Sequence, residues 1–274
     1  MRKRALTRRY FDPPRVGWAQ DRPDRRLGYG LRMTADSGAR PLVLLPTYNE
    51  RENLDAILDA ILAAEPDFHV LVIDDGSPDG TGELADRRAA ADERVFVLHR
   101  SGKQGLGKAY VAGFDWGLGH ARGYTHLFEM DADFSHDPRY LGPLLRACTE
   151  GGADLAIGSR YVPGGGTRGW PWHRQLLSRG GGLYARTILG LPIHDPTAGF
   201  ICFSRHVLEA LDLHALATRG YGFQIELKYR VVRAGFRVLE IPIVFVERER
   251  GQSKMSGKIA AEALLKVVEL RVRG

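Results

Sequence analysis

Asp131 and Asp133 are the residues in this sequence whose types and spacing first suggest chemistry. They follow Tyr124-Thr125-His126-Leu127-Phe128, which reads as a buried strand, and with Glu129 they form a triplet of acids at its end. Asp137-Pro138 then reads as the entry to a helix. A turn beginning at Ala132 brings both carboxylates onto one ligand, and paired hard oxygens of this kind suit Mg²⁺ or Mn²⁺ holding a diphosphate. Taken alone, the same residues also read as a solvated acidic turn, so the rest of the chain must decide.

Such a pair needs a strand end set among other strand ends. Leu42-Val43-Leu44-Leu45 is a buried strand leading through Pro46-Thr47-Tyr48-Asn49-Glu50 into a helix with Leu54, Ile57, Leu58, Ile61 and Leu62 on one face. The unit repeats. Val70 to Ile73 runs into Asp74-Asp75-Gly76-Ser77-Pro78-Asp79-Gly80-Thr81, and Val95 to Leu98 into Lys103-Gln104-Gly105-Leu106-Gly107-Lys108, each followed by a helix. After the acids come a helix from Pro138 to Cys148 and a strand from Ala153 to Gly158. This alternation implies an α/β fold with a mostly parallel central sheet flanked by helices. Asp75, Lys103, Asp131 and Asp133 then all lie in loops at one sheet edge, where open α/β sheets bind ligands. Physically the first loops suit a nucleotide: Pro46 fixes the chain, Tyr48 offers a flat face, and Glu50 and Asp75 can accept hydrogen bonds from a base or ribose. Neither a phosphate-loop run ending in Gly-Lys-Ser/Thr nor a Gly-x-Gly-x-x-Gly after a strand is present.

The second half is less regular. Val162 to Trp172 is Gly-rich with two tryptophans that read as exposed, a long mobile loop of the kind used for lids or binding. A helix from about Arg174 to Leu189 carries Arg174, Arg179 and Arg186. Asp195-Pro196-Thr197-Ala198-Gly199-Phe200 leads into a short strand, Ser204 caps a helix, Phe223 to Ala234 is helical, and Phe236 to Val246 is a strand pair or one bent strand. Lys258 to Arg273 forms an amphipathic helix with Lys258, Glu262, Lys266, Glu269 and Arg273 in one polar stripe; it either packs on the domain or lies on a membrane surface.

At 274 residues and 44% hydrophobic, the chain suffices for one large α/β domain. Cys148 and Cys202 lie far apart without metal-type spacing and read as core residues of a reduced, cytoplasmic protein. The formal charge of +6 is uneven: residues 1–40 carry +7, leaving −1 for the remainder. The basicity therefore belongs to a flexible extension, in which Met33 is a candidate start, and a nucleic-acid-binding reading would rest on that extension alone. No apolar run approaches the roughly 18 to 20 residues of a membrane span.

Pro46-Thr47-Tyr48-Asn49-Glu50, Asp74-Asp75 through Thr81, Lys103 to Gly107, Met130-Asp131-Ala132-Asp133 and Gly158-Ser159-Arg160-Tyr161 resemble, in order, the motifs of family 2 inverting glycosyltransferases of the GT-A fold. Trp170-Pro171 with Arg174 and Ser178-Arg179, Asp195 to Phe200, Gly222-Phe223-Gln224-Ile225-Glu226, and Arg248 through Lys254 look like the polyprenol-phosphate (dolichol-phosphate) mannose synthase branch. The resemblance implies a GT-A catalytic domain over residues 41–257 with a Rossmann-like nucleotide-binding half, between the extension at 1–40 and a C-terminal amphipathic helix at 258–274. It implies GDP-mannose as donor, a polyprenyl phosphate as acceptor and Mg²⁺ or Mn²⁺ as cofactor. Carried over by position, Pro46, Tyr48, Glu50 and Asp75 would hold guanosine, with Lys103, Ala132, Arg160, Arg248 and Lys254 completing the donor site. Asp131, Asp133 and Ser135 would hold the metal. Some relatives have Gln in place of Ser135, a longer side chain that joins the metal shell. Asp133, Arg160 and Arg248 would act most directly in catalysis, Arg174, Ser178 and Arg179 would meet the acceptor phosphate, and Glu226 would orient the site or only pair with an arginine.

The acceptor tail lies in a bilayer, so the resemblance also implies a peripheral enzyme on the cytoplasmic face of a membrane, docked directly or through a separate membrane-protein partner. A polyprenyl-phosphate glucosyltransferase using UDP-glucose is the nearest rival.

Overall fold

The computed structural model describes residues 38–216, 221–247 and 266–272. The extension with Met33, the basic residues Arg248 and Lys254, and the first part of the C-terminal amphipathic stretch lie outside the described residues. Three β-α units open the domain: β1 (Pro41–Thr47), α1 (Arg51–Ala64), β2 (His69–Asp74), α2 (Thr81–Ala91), β3 (Val95–His99) and α3 (Leu106–Gly119). They are followed by β4 (His126–Glu129), a 3-10 turn (Pro138–Tyr140), α4 (Leu141–Thr149), β5 (Leu155–Ser159), β6 (Gly166–Arg168) and α5 (Trp172–Leu189). The remainder is β7 (Ile201–Ser204), α6 (Arg205–Ala210), α7 (Tyr221–Arg233), β8 (Val238–Pro242), β9 (Val244–Val246) and a helix at 266–272, here α8.

Seven strands form one sheet in the order β3-β2-β1-β4-β7-β5-β8. All pairings are parallel except those of β7, which runs antiparallel to both β4 and β5. Strand side chains alternate between faces, and the core divides accordingly. Leu42, Leu44, Leu71, Ile73 and Leu127 face α3 residues Tyr110 and Phe114, whereas Val43, Leu45, Val70, Val72 and Phe128 face Leu54, Ile57, Leu58 and Ile61 of α1. Both faces are covered, which is why the strands read as near-continuous apolar runs.

One expectation needs correction. The segment from Val162 to Trp172 is not a plain loop with two exposed tryptophans. Its centre pairs as β6 with β9 in a separate parallel ribbon, and Trp170 is 9% exposed while Trp172 is 74% exposed. Trp170 packs edge-on against Phe245, a partner distant in sequence that local composition cannot reveal. The stretch after Phe236 forms two strands: β8 joins the main sheet, the chain bends at buried Ile243, and β9 joins the ribbon. Over its described part, α8 packs on the domain, with Val267 in the core and Lys266 paired to Glu269 at 3.3 Å.

A candidate sugar-nucleotide and phosphate site

The carboxyl ends of β1, β2, β3 and β4 share one sheet edge, as parallel pairing requires. The first two loops are stapled by acids. Asp74 accepts from Thr47 Oγ1 at 3.2 Å, from Ser77 N–H at 3.0 Å and from Ser77 Oγ at 2.5 Å, so this buried carboxylate is structural. Asp79 accepts from Thr81 N–H and Oγ1 and from Arg51 N–H, closing the entry to α2. Asp75, the next residue along from Asp74, is instead ion-paired with Arg100, both side chains being about nine-tenths buried. Burial raises the Asp75 pKa and Arg100 opposes that rise without cancelling it. Arg100 was not singled out in the sequence, although its place just past β3 is the same strand-end signal that marked the acids. Tyr48 and Lys103 are brought together, with the ammonium 4.6 Å from the ring centroid, and Asn53 Nδ2 donates to Glu50 at 3.0 Å. Pro46 lies in β1 opposite Ile73.

The acidic loop turns where the sequence suggested. Asp133 Oδ1 accepts from Ser135 N–H at 3.1 Å, and Phe134 between them has φ 61°, a left-handed conformation rare for a bulky residue and concentrated at functional turns. Asp131 N–H donates to His136 Nδ1 at 3.0 Å, which makes Nδ1 the acceptor and leaves the imidazole proton on Nε2. His136 is buried, stacked 4.9 Å from Phe200, and burial pushes its pKa down to about 4, so the ring is neutral and serves as an acceptor at neutral pH. Asp137 caps the following 3-10 turn by accepting from Arg139 N–H, as its position before Pro138 suggested. Ala132 and Asp133 are buried, and Asp131 is the more open of the two acids. Ser135 Oγ is fully buried and has no hydrogen-bond partner. An orphan hydroxyl following two carboxylates is a set of hard oxygens that fits a divalent cation. No cluster of three His, Cys, Asp or Glu side chains able to hold a metal occurs among the described residues. The donor set is therefore of the kind in which one or two carboxylates share a cation with substrate phosphates.

On the far side of β4 the end of β5 meets the start of β7, because β7 runs in reverse. Arg160 donates to Asp195 from N–H at 3.0 Å, Nε at 2.7 Å and Nη2 at 2.7 Å, and to Thr197 at 2.8 Å. Asp195 is fixed in turn by Glu240, which accepts its N–H at 2.9 Å. Burial would raise the Asp195 pKa, but the Arg160 charge and hydrogen bonds carry it below the usual carboxylate value. Arg160 also lies within 5.6 Å of the Tyr161, Trp170 and Phe245 ring centroids. Arg174 stacks 4.1 Å over Trp170 and pairs with Glu247, Arg179 lies 5.6 Å over Tyr161, and Tyr161 Oη donates to Ser178 Oγ at 2.6 Å. Arg160, Arg174, Ser178 and Arg179 are thus gathered around two aromatic rings at the start of α5. Glu226 pairs with Arg230 one helical turn on at 2.7 Å.

The family model described as Glycosyl transferase family 2 matches residues 42–212. The chain is 57% identical over 236 residues to the polyprenol monophosphomannose synthase of Mycolicibacterium smegmatis, covering 86% of this chain and 88% of that protein. It is 53% identical over 228 residues to the undecaprenyl-phosphate mannosyltransferase of Micrococcus luteus, covering 83% and 92%. Among solved structures it resembles the glucosyl-3-phosphoglycerate synthase of Mycobacterium tuberculosis in complex with Mn²⁺, UDP-glucose and phosphoglyceric acid. There the TM-score is 0.63 at 19% identity, over 86% of this chain and 81% of that one. At that identity the likeness concerns the fold.

Proposed function

This chain belongs to glycosyltransferase family 2, and we propose that it transfers mannose from GDP-mannose to a polyprenyl monophosphate with inversion, giving polyprenyl phosphomannose and GDP. The observation that carries the reading is identity above half, across most of both chains, to a polyprenol monophosphomannose synthase and an undecaprenyl-phosphate mannosyltransferase. Two clusters suited to two phosphorylated substrates support it: the acid-hydroxyl set on β4 and the arginines at the start of α5.

On this reading Pro46, Tyr48, Glu50 and Asp75 seat guanosine. Asp131, Asp133 and Ser135 hold Mg²⁺ or Mn²⁺, which when bound neutralises charge on the donor diphosphate. The structural relative bound to Mn²⁺ and a sugar nucleotide is consistent with a divalent cation. Arg174, Ser178 and Arg179 receive the acceptor phosphate, and Arg160 holds this wall in shape while its charge is balanced by Asp195. Arg248 and Lys254 belong to the proposed phosphate set on sequence grounds.

A phosphate monoester has a second pKa of about 6, so the acceptor is largely dianionic at neutral pH and needs no general base. Its oxygen attacks the anomeric carbon in line as the bond from that carbon to the diphosphate oxygen breaks, and the configuration inverts. The bonding electrons leave with GDP. What the protein must supply is positive charge between two anions, and a cluster of arginines does so. Asp133 is accordingly a metal ligand and not a base.

The acceptor tail calls for a membrane surface. On α5, Trp172, Leu176, Leu177 and Leu183 are 74%, 64%, 66% and 61% exposed beside Arg174 and Arg179. No helix among the described residues is long and apolar enough to cross a membrane. An apolar ridge with adjacent arginines suits peripheral docking on an anionic cytoplasmic leaflet. A separate membrane protein is the other occupant this ridge would fit. The test is transfer of label from GDP-mannose, and in parallel from UDP-glucose, to a short polyprenyl phosphate with and without EDTA. EDTA-sensitive mannosyl transfer is expected. Transfer from UDP-glucose alone would replace the donor, and no transfer from either would overturn the reading.

A further inference from the structure

Lys228 is fully buried in α7 and has been given no role in the reaction so far. Its ammonium donates to Ala198 O at 2.7 Å, Gln224 Oε1 at 3.0 Å and Gln224 O at 3.3 Å. That accounts for all three of its donors. Gln224 then donates from Nε2 to Glu129 Oε2 at 2.5 Å. In the assigned orientation the amide turns its C=O to Lys228 and its NH₂ to Glu129. Two fully buried ionisable side chains, each of whose charged forms is disfavoured alone in the interior, are thus joined through a side-chain amide.

The relay ties three pieces of chain. Ala198 follows Asp195, the clamp of Arg160, in one short turn, and Glu129 precedes Asp131 by two residues on the same strand end. We propose that Lys228 and Gln224 are positioning residues that seat Glu129 and so set the acidic loop, coupling the Asp131–Asp133 cation site to the arginine wall across β7. Neither touches substrate; both act through Glu129. This rests on reading Asp131 and Asp133 as cation ligands.

The experiment uses the full chain with Lys228→Met, Gln224→Leu, Glu129→Gln, and Lys228→Met combined with Glu129→Gln. Mn²⁺ half-saturation is read from the rise in melting temperature that Mn²⁺ produces in the presence of GDP, and mannosyl transfer is measured separately. Outer residues that orient metal ligands typically matter about 10- to 100-fold, so Lys228→Met and Gln224→Leu should each weaken Mn²⁺ half-saturation about tenfold while folded. The double variant, with no buried charge left unpaired, should return to within about twofold of wild type. A purely structural ion pair would lower melting temperature without moving Mn²⁺ half-saturation, and that result would overturn the proposal. So would a double variant no better than Lys228→Met. If Lys228→Met does not fold, the double variant decides by the same measure. A wild-type chain stabilised by Mn²⁺ and GDP that transfers no mannose would overturn the functional reading and leave the relay to stand or fall on its Mn²⁺ data. No Mn²⁺ effect on wild type would overturn the relay.

Discussion

Replacing Asp195 with alanine is the perturbation whose cost can be worked most directly from the structure. The side chains of Arg160 and Asp195 are 7% and 0% exposed. The substitution removes the acceptor of three Arg160 donors and of Thr197 Oγ1, leaving an internal guanidinium without its counter-charge. Breaking a buried pair from one side costs about 3–5 kcal/mol. At about 2–4 °C per kcal/mol for a domain of this size, melting should fall by roughly 6–20 °C. The assay is thermal and urea unfolding of wild type, Asp195→Ala, Arg160→Met and the double variant. The double variant should recover most of the loss, since neither charge then remains buried alone. The pH dependence has a definite sign. Arg160 holds the folded-state carboxyl of Asp195 below its unfolded value of about 3.9, so its stabilisation is fully present above that pH and is lost as pH falls through the folded pKa. The gap between wild type and Asp195→Ala should be constant above about pH 4 and close below it. An Asp195→Ala protein within about 1 kcal/mol of wild type at neutral pH would refute the reasoning, as would a double variant less stable than Asp195→Ala alone.

Three further outcomes are expected. Asp133→Ala should lower mannosyl transfer at least about 100-fold at saturating Mn²⁺ or Mg²⁺, while near-normal turnover would remove it from the cation site. Trp172→Ser with Leu176→Ser and Leu177→Ser should abolish flotation with anionic liposomes yet change stability by no more than about 0.5 kcal/mol per site, because all three side chains are exposed; unchanged flotation would move the docking surface elsewhere. At Gly107 an added Cβ would sit 2.7 Å from the Phe223 ring, so Gly107→Ala should cost about 1–3 kcal/mol in a denaturant titration despite alanine's better helix propensity.

What could be read from the sequence was whatever local period and strand-end position determine. The α1 face of Leu54, Ile57, Leu58, Ile61 and Leu62 is buried as its spacing required, and the acids and Lys103 do lie at the ends of adjacent strands. Contacts made across the fold could not be read. Asp74 and Asp75 are neighbours in sequence and equal in composition, yet Thr47 makes one a staple and Arg100 gives the other a counter-charge. Trp170 sits among glycines and prolines that signal exposure, and contacts such as those with Phe245, Arg160 and Arg174 cover it. Lys228 reads as a polar helix residue until Ala198 and Gln224 close around it.

The Arg160–Asp195 pair also closes a circle. Between its two ends, 35 residues apart, the chain leaves the sheet, runs through β6 and α5, and returns at the antiparallel strand. The two side chains fasten the neck of this excursion, while Ala185, Leu189, Leu191 and Ile193 root it in the core shared with the strands that carry the nucleotide loops. Further ties to the sheet system are the β6–β9 pairing and His194, whose N–H donates to Glu240 Oε2 of β8 at 2.8 Å. If Arg174, Ser178 and Arg179 receive the acceptor as proposed, the acceptor wall is one continuous stretch of chain rooted in the core, and refitting it for a different lipid would mean exchanging residues 161–194 together with their partners on β8 and β9.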